Sequence, residues 1–416
     1  MTRTAPTRRR AGRPVTGPRL VLLLGPAFVA AIAYVDPGNV AANLTAGARY
    51  GYLLVWVLVA ANLIAVLVQY QSAKLGLVTG RSLPELLGQR LPTTRRRAFW
   101  VQAELIAAAT DLAEVIGGAI ALHLLFGVPL LAGGVIVGLV SIGLLAVQSR
   151  HGQRPFELVI GALLLVITVG FLTGLVVSPL SASGIAGGLV PRFDGPDSVL
   201  LAASMLGATV MPHAVYLHSS LSRDRHGVQR DPGVLRRLLT ATRWDVIAAL
   251  AVAGAVNISM LLIAAASLGG VPGTDSIEGA HAAITASLGP VVGVVFAVGL
   301  LASGLASTSV GAYAGAAIMG GLLHVKVPLL ARRVVTLIPA LAILAVGVDP
   351  TTALVISQVV LSLGIPFALI PLIRLTGDRR VMGEHVDRPL TRIAAWVAVA
   401  LVVVLNVALV ALTFGG

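Results

Sequence analysis

Residues 20–44 read LVLLLGPAFVAAIAYVDPGNVAANL, an apolar run with Asp36-Pro37-Gly38-Asn39 set inside it. Sixteen residues, Leu20 to Val35, precede the break, and too few follow it to make a second crossing. The helix must therefore unwind at mid-depth. An ionisable group at the centre of a bilayer costs about 2.5 to 3.5 kcal/mol on insertion scales, and an irregular turn is tolerated there only where it is buried in protein or lines a cavity. A plain turn is the fitting reading for Asp349-Pro350, which stands at the water boundary between two apolar runs. At Asp36 the location reverses that reading and points to function.

The rest of the chain supports a bilayer as its solvent. Of 416 residues, 57% are hydrophobic and only 11% charged, and the mean hydropathy is +0.94. Soluble domains carry roughly 25% charged residues, so a cytosolic enzyme or a nucleic-acid binder is excluded. The net charge of +13 is mostly arginine placed between apolar runs, so it reports orientation rather than a polyanionic partner. With no Cys, any metal must be held by oxygen, imidazole or thioether ligands.

Eleven runs of about 20 apolar residues lie near 20–44, 52–73, 98–123, 128–148, 156–179, 197–221, 244–268, 288–322, 329–348, 351–373 and 393–413. The first follows a basic tail, residues 1–19, yet it is too long for a signal-peptide core and is read as a retained span. Placing the N-terminus in the cytoplasm puts 28 Lys and Arg inside and leaves only Arg49 and Arg192 outside, as the positive-inside rule requires. Eleven crossings then put the C-terminus outside the cell. Residues 20–413 read as one transmembrane domain.

Span six carries a second break, Gly207-Ala208-Thr209-Val210-Met211-Pro212-His213. Pro212 has no N–H, which frees the carbonyl four residues back, that of Ala208. The residue before a proline is pushed out of the helical region, so Met211 can leave the regular stripe, as Asp36 does before Pro37. Together the breaks offer a carboxylate (Asp36), an amide oxygen (Asn39), a backbone carbonyl (Ala208) and a thioether (Met211). The first half-helices also aim their negative ends at the same place, which favours a cation. Sulfur shifts the preference away from magnesium and calcium toward transition metals. The plainer alternatives are that Met211 fills a gap in the core and that Asn39 caps the second half-helix.

In span three, Glu104, Asp111 and Glu114 share one helical face, Asp111 about 20° and Glu114 about 80° from Glu104. A carboxylate stripe across a membrane suggests a proton route. Its expected companions are Arg332 and Arg333 at the start of span nine, and His213 and His218, whose ordinary titration range suits proton exchange. The plainer readings make the arginines interfacial anchors and His218 a hydrogen-bonding helix partner. Gln358 interrupts span ten and either reaches the site or bonds a neighbouring helix. Glu157 and Asp245, at span starts, read as interfacial, and His151, His226, His281, His324 and His385 lie near loops.

There is no phosphate-binding Walker loop, zinc-hydrolase His pair or serine-nucleophile elbow. The energy for any transport must then come from an ion gradient. Proline-broken spans one and six point to an inverted-repeat secondary transporter, with repeats near 20–179 and 197–373 and an extra helix near 393–413.

These residues resemble the NRAMP family of divalent-metal transporters, in its bacterial manganese-uptake branch. The resemblance rests on Asp36-Pro37-Gly38-Asn39, on Trp100 through Glu104 to Thr110-Asp111-Leu-Ala-Glu114, on Gly207 through His213 with Tyr216-Leu217-His218-Ser219, and on Ser357-Gln358 through Gly364-Ile-Pro366. It implies an all-α, leucine-transporter-like 5+5 fold with discontinuous helices one and six. It also implies metal binding by Asp36, Asn39, the Ala208 carbonyl and Met211, with Gln358 joining in some conformations. Protons would pass Asp111, Glu114 and the Arg332–Arg333 region, with His213 nearby. The chain departs from many relatives at Ala214, where they carry Asn, and in the thinned polar stretch Ala302 to Thr308 of span eight.

The expected function is proton-coupled import of manganese(II), with iron(II) as a further substrate, by alternating access in a monomer. No cofactor, catalysis or nucleic-acid partner is expected. The rival readings are a cation-coupled carrier of small organic solutes on the same fold, and a metal-dependent membrane enzyme or channel.

Overall fold

A computed structural model describes residues 25–414 except 152, 275 and 326. The tail 1–19 and the first residues of span one, 20–24, lie outside the described residues. All regular structure among the described residues is helical. In chain order, Pro26–Ile32 (α1) leads through a 3-10 turn at Ala33–Val35 into Pro37–Tyr50 (α2), followed by Val55–Thr79 (α3), Leu83–Arg90 (α4) and Thr93–Phe126 (α5). Leu130–His151 (α6), Gln153–Val177 (α7) and a short Ala182–Gly188 (α8) complete the first half. The second half begins with Gly195–Thr209 (α9) and Pro212–His226 (α10), then Pro232–Ser267 (α11), Ile277–Leu288 (α12), Pro290–Leu323 (α13) and Leu329–Val346 (α14). Pro350–Thr376 (α15), Arg379–Met382 (α16) and Pro389–Phe414 (α17) close the chain.

Each of the eleven expected spans contains helix, and eight helical stretches among the described residues, with α9 and α10 taken together as one, are long and apolar enough to cross a bilayer. Pro26–Val35 and Leu130–Ala146 are shorter apolar helices. The 18-residue α14 carries Arg332 and Arg333.

Some boundaries differ from the hydropathy reading. The helix of span seven starts at Pro232 rather than near 244, because Asp231 accepts from the amides of Gly233 and Val234 and Pro232 supplies a pre-set first turn. Leu235, Leu238 and Leu239 of this extension pack on Leu77 of α3, a local apolar stripe too short to register as a span. On the same side, α4 opens with a capping box of Ser82 and Glu85. Partial burial pushes the Glu85 carboxyl up, but the Ser82 amide and Arg223 outweigh it and hold the group below its ordinary range.

Both expected breaks are present. Asp36 is extended (φ −74°, ψ 168°) and caps α2, accepting from the Asn39 amide. Val210 and Met211 (φ −73°, ψ 118°) interrupt span six between α9 and α10. Breaking a helix inside protein orphans carbonyls, and each needs a donor. The Tyr34 carbonyl accepts from Asn257 Nδ2 at 2.6 Å, and the Val35 carbonyl from Ser303 Oγ at 2.5 Å. The Ala208 carbonyl accepts from Asn39 Nδ2 at 2.9 Å.

α5 packs along α13, α11 along α2, and α15 against both α5 and α9. Two glycines set how closely the broken helices approach their neighbours. A Cβ on Gly117 of α5 would fall 2.0 Å from the Pro37 ring, and one on Gly207 of α9 would fall 2.1 Å from the Gln358 carbonyl. Neither position has room for a side chain.

Candidate functional site

The two breaks meet. Asp36 is fully buried, and its Oδ1 accepts from the Asn39 amide at 2.7 Å and from Asn39 Nδ2 at 2.8 Å. The same Nδ2 reaches the Ala208 carbonyl on α9, so one side-chain amide bridges the carboxylate of the first break to the freed carbonyl of the second. Gln358 of α15 lies directly on the first break. A Cβ at Gly38 would sit 1.8 Å from Gln358 Nε2, so glycine is what admits that side chain. Gln358 Nε2 donates to Ser357 Oγ at 3.2 Å.

Three oxygens here are buried and receive no hydrogen bond: Asp36 Oδ2, Asn39 Oδ1 and Gln358 Oε1. Buried acceptors without donors are uncommon, and leaving one unmet costs about 1 to 3 kcal/mol. Met211 is fully buried, in the same apolar cluster as Val35 and Val40, so its thioether is turned away from lipid. Asp36 is the one formally charged group hydrogen-bonded at this junction among the described residues. Among the described residues no group of three His, Cys, Asp or Glu is placed to hold a metal, and this donor set, with its amide, carbonyl and thioether groups, is not of that kind.

The carboxylate stripe of α5 meets both arginines of α14. Arg332 pairs with Glu104 at 2.7 Å and Arg333 with Asp111 at 3.0 Å. Neither arginine is an interfacial anchor, since their exposures are 4% and 0%. Arg333 also donates to Ser141 Oγ at 2.8 Å and Thr308 Oγ1 at 2.5 Å. Glu114 is fully buried, both its oxygens lack donors, and it lies against Gly311 of α13.

His213 reaches Thr110 through Nδ1 at 3.4 Å, with Nε2 unpartnered. His218 belongs to a different chain of contacts. Its Nδ1 meets Gln69 Oε1 at 2.7 Å, and Gln69 Nε2 donates to the Tyr34 hydroxyl at 2.5 Å, next to the first break.

Several residues that hold the site gave little or no signal in sequence. Asn257 donates to the Tyr34 carbonyl and accepts from Asn43 at 3.0 Å. The one side-chain amide in the middle of span seven was the available clue. Ser303 and Thr308 show that the thinned polar stretch of span eight still serves the Val35 carbonyl and Arg333. Asp245 is corrected from an interfacial residue to a buried cap. It is 2% exposed and accepts from the amides of Gly25 and Ala27, at 3.2 and 3.1 Å, at the start of α1. The first turn of a helix needs acceptors for its free N–H groups, and here the acceptor comes from 218 residues away.

Comparisons with known proteins agree with this architecture. The family model described as Nramp, natural resistance-associated macrophage protein-like, matches residues 27–412. A Mycobacterium tuberculosis protein named divalent metal cation transporter MntH is 62% identical over 395 residues, covering 95% of this chain and 92% of that relative. A crystal structure of the Eremococcus coleocola manganese transporter superposes with a TM-score of 0.85 at 31% identity, over 96% of this chain and 89% of that one. The structure of MhsT in complex with L-phenylalanine, at 15% identity and a TM-score of 0.59, covers 97% of this chain and 99% of its own, and supports the leucine-transporter-like fold. Matched over nearly its whole length in sequence and in three dimensions, with the two helix breaks facing one another, this chain belongs to the Nramp family.

Proposed function

We propose that this chain carries divalent transition-metal ions across a bacterial cell membrane, manganese(II) foremost, by alternating access coupled to protons. The observation that carries the reading is the set of three buried oxygens without donors where the breaks meet, with Met211 buried in the second break. A cation supplies the positive charge that the chain withholds from them. Asn39 Nδ2 occupies two of the candidate ligands, Asp36 Oδ1 and the Ala208 carbonyl. An arriving ion competes with that amide, and turning the amide over would present Asn39 Oδ1 to the ion in its place. The relatives' printed names, a divalent metal cation transporter and a manganese transporter, support the same substrate class.

For the proton, the reading relies on the Asp111–Arg333 and Glu104–Arg332 pairs, on Glu114 and on His213. Of these groups Glu114 stands nearest the first break, three residues before Gly117, which touches Pro37; Glu104 lies thirteen residues from that glycine, about 20 Å along α5. An organic-solute carrier would place free amides at the unwound segment to receive a substrate carboxylate. Here the segment presents its own anion, Asp36, which opposes that rival.

Purified protein in liposomes with a luminal pH dye tests the proposal. Saturable manganese uptake with luminal acidification is expected. Uptake without acidification would remove proton coupling, and no metal flux at all would remove the transporter reading. In the same assay, Met211→Ala is expected to keep manganese uptake while weakening its apparent affinity. Changes that disturb a metal's surroundings cost about 10- to 100-fold in affinity, and loss of the one soft ligand also opens the site to calcium. Unchanged competition by calcium would exclude Met211 from the ligand set.

A further inference from the structure

A cleft of about 600 Å³ opens between α3, α11 and the segment 385–391, on the side that carries the arginine-rich loops and away from the helix breaks. One wall is a single face of α3. Leu63, Val66, Leu67, Tyr70 and Lys74 recur at helical spacing, passing from apolar side chains to a hydroxyl and then a charge as the helix nears that boundary. Leu63 is 67% exposed, which suits a side chain that meets acyl tails. The opposite wall is Leu239, Arg243 and Ile247 of α11, with Trp244, 56% exposed, beside the arginine. Exposed tryptophan on a membrane protein is enriched at the headgroup boundary.

The charges at the mouth do not cancel. Lys74 is committed to Asp387 at 2.8 Å, and Gln71 holds the other oxygen of that carboxylate. Arg243 and Arg388 line the same mouth, are exposed, and make no side-chain hydrogen bond or ion pair among the described residues. Two uncommitted guanidiniums therefore stand over an apolar groove that runs toward the bilayer interior. A free phosphate would use only the arginines, whereas a phospholipid uses both halves of the cleft.

We propose that this cleft binds an anionic phospholipid of the adjacent leaflet, its phosphate between Arg243 and Arg388 and an acyl chain along Leu63 and Leu67. Basic pockets between helices recognise such headgroups by charge, and bidentate guanidinium contacts suit phosphate oxygens.

Native mass spectrometry of the delipidated full-length protein, titrated with dioleoyl phosphatidylglycerol or dioleoyl phosphatidylcholine, tests this. The phosphatidylglycerol adduct is expected to dominate. Each surface arginine is worth about fivefold in affinity for an anionic headgroup, so R243Q/R388Q should weaken the adduct about thirtyfold. R95Q/R97Q removes the same charge from exposed positions of α5 outside the cleft and should leave the adduct unchanged. Equal retention of phosphatidylcholine, equal weakening by R95Q/R97Q, or competition by inorganic phosphate at the lipid's own affinity would each overturn the assignment.

Discussion

Asp36→Ala is expected to reduce divalent-metal uptake to the level of protein-free liposomes. Asp36 is the one charged group hydrogen-bonded into the junction of the breaks, and its burial is complete. Without it, an ion leaving water meets only amide, carbonyl and thioether donors, which do not neutralise a double charge taken out of water. The loss should not come from unfolding. Removing the side chain sacrifices a helix cap worth about 1 kcal/mol, but it also removes a buried anion that pairs with no cation among the described residues. Asp36→Asn separates the two contributions, because an amide oxygen can still accept from the Asn39 backbone while the charge is gone. Both variants are expected to purify as folded protein and to transport nothing. Uptake by the Asn variant at the wild-type rate would mean that the charge is not needed, and the assigned site would be wrong.

The second large effect concerns Arg333→Met. Arg333 is fully buried, forms an ion pair with Asp111 and donates hydrogen bonds to Ser141 and Thr308, tying α14 to α5, α6 and α13. Removing one partner of a buried ion pair costs about 3 to 5 kcal/mol, because the other charge stays buried and uncompensated. Replacing both partners by groups of similar shape is far less costly. Thermal unfolding in detergent should therefore show a marked fall for Arg333→Met and recovery of more than half of it in Asp111→Asn/Arg333→Met. If the double variant is as unstable as the two single losses added together, the ion pair is not what holds α14 in place. The double variant also reads on coupling: it should move metal with less luminal acidification than the wild type.

How far the site could be read in advance depended on the kind of signal. Asp36, Met211 and the Ala208 carbonyl were legible because proline leaves a local, rule-bound mark on the backbone around it. The α5 carboxylates were legible because charge in an apolar run is costly and helical spacing assigns each to a face. Pairing was less legible. Nothing local tells whether Arg332 and Arg333 snorkel to an interface or turn inward, and only the position of α14 beside α5 sends them to Glu104 and Asp111. His218 was expected beside His213 on the proton route for its titration range, yet packing against α3 gives it Gln69, which in turn donates to the Tyr34 hydroxyl.

From its order of residues alone the chain was committed to a bilayer, to helices, and to two interruptions inside them. Hydrocarbon leaves an unpaired backbone group no water to turn to. Asp36-Pro37 and Met211-Pro212, polar or prolyl breaks deep in apolar runs, could therefore be read locally, whereas Pro339, Pro366 and Pro371 stay inside continuous helices. Which groups answer those breaks was decided by the tertiary structure. The donor to the Tyr34 carbonyl lies 223 residues away, the donor to the Val35 carbonyl 268 and the acceptor for the start of α1 218. Hydrogen bonds reach about 3 Å in space and are indifferent to separation along the chain, so these partners exist only once the helices have packed.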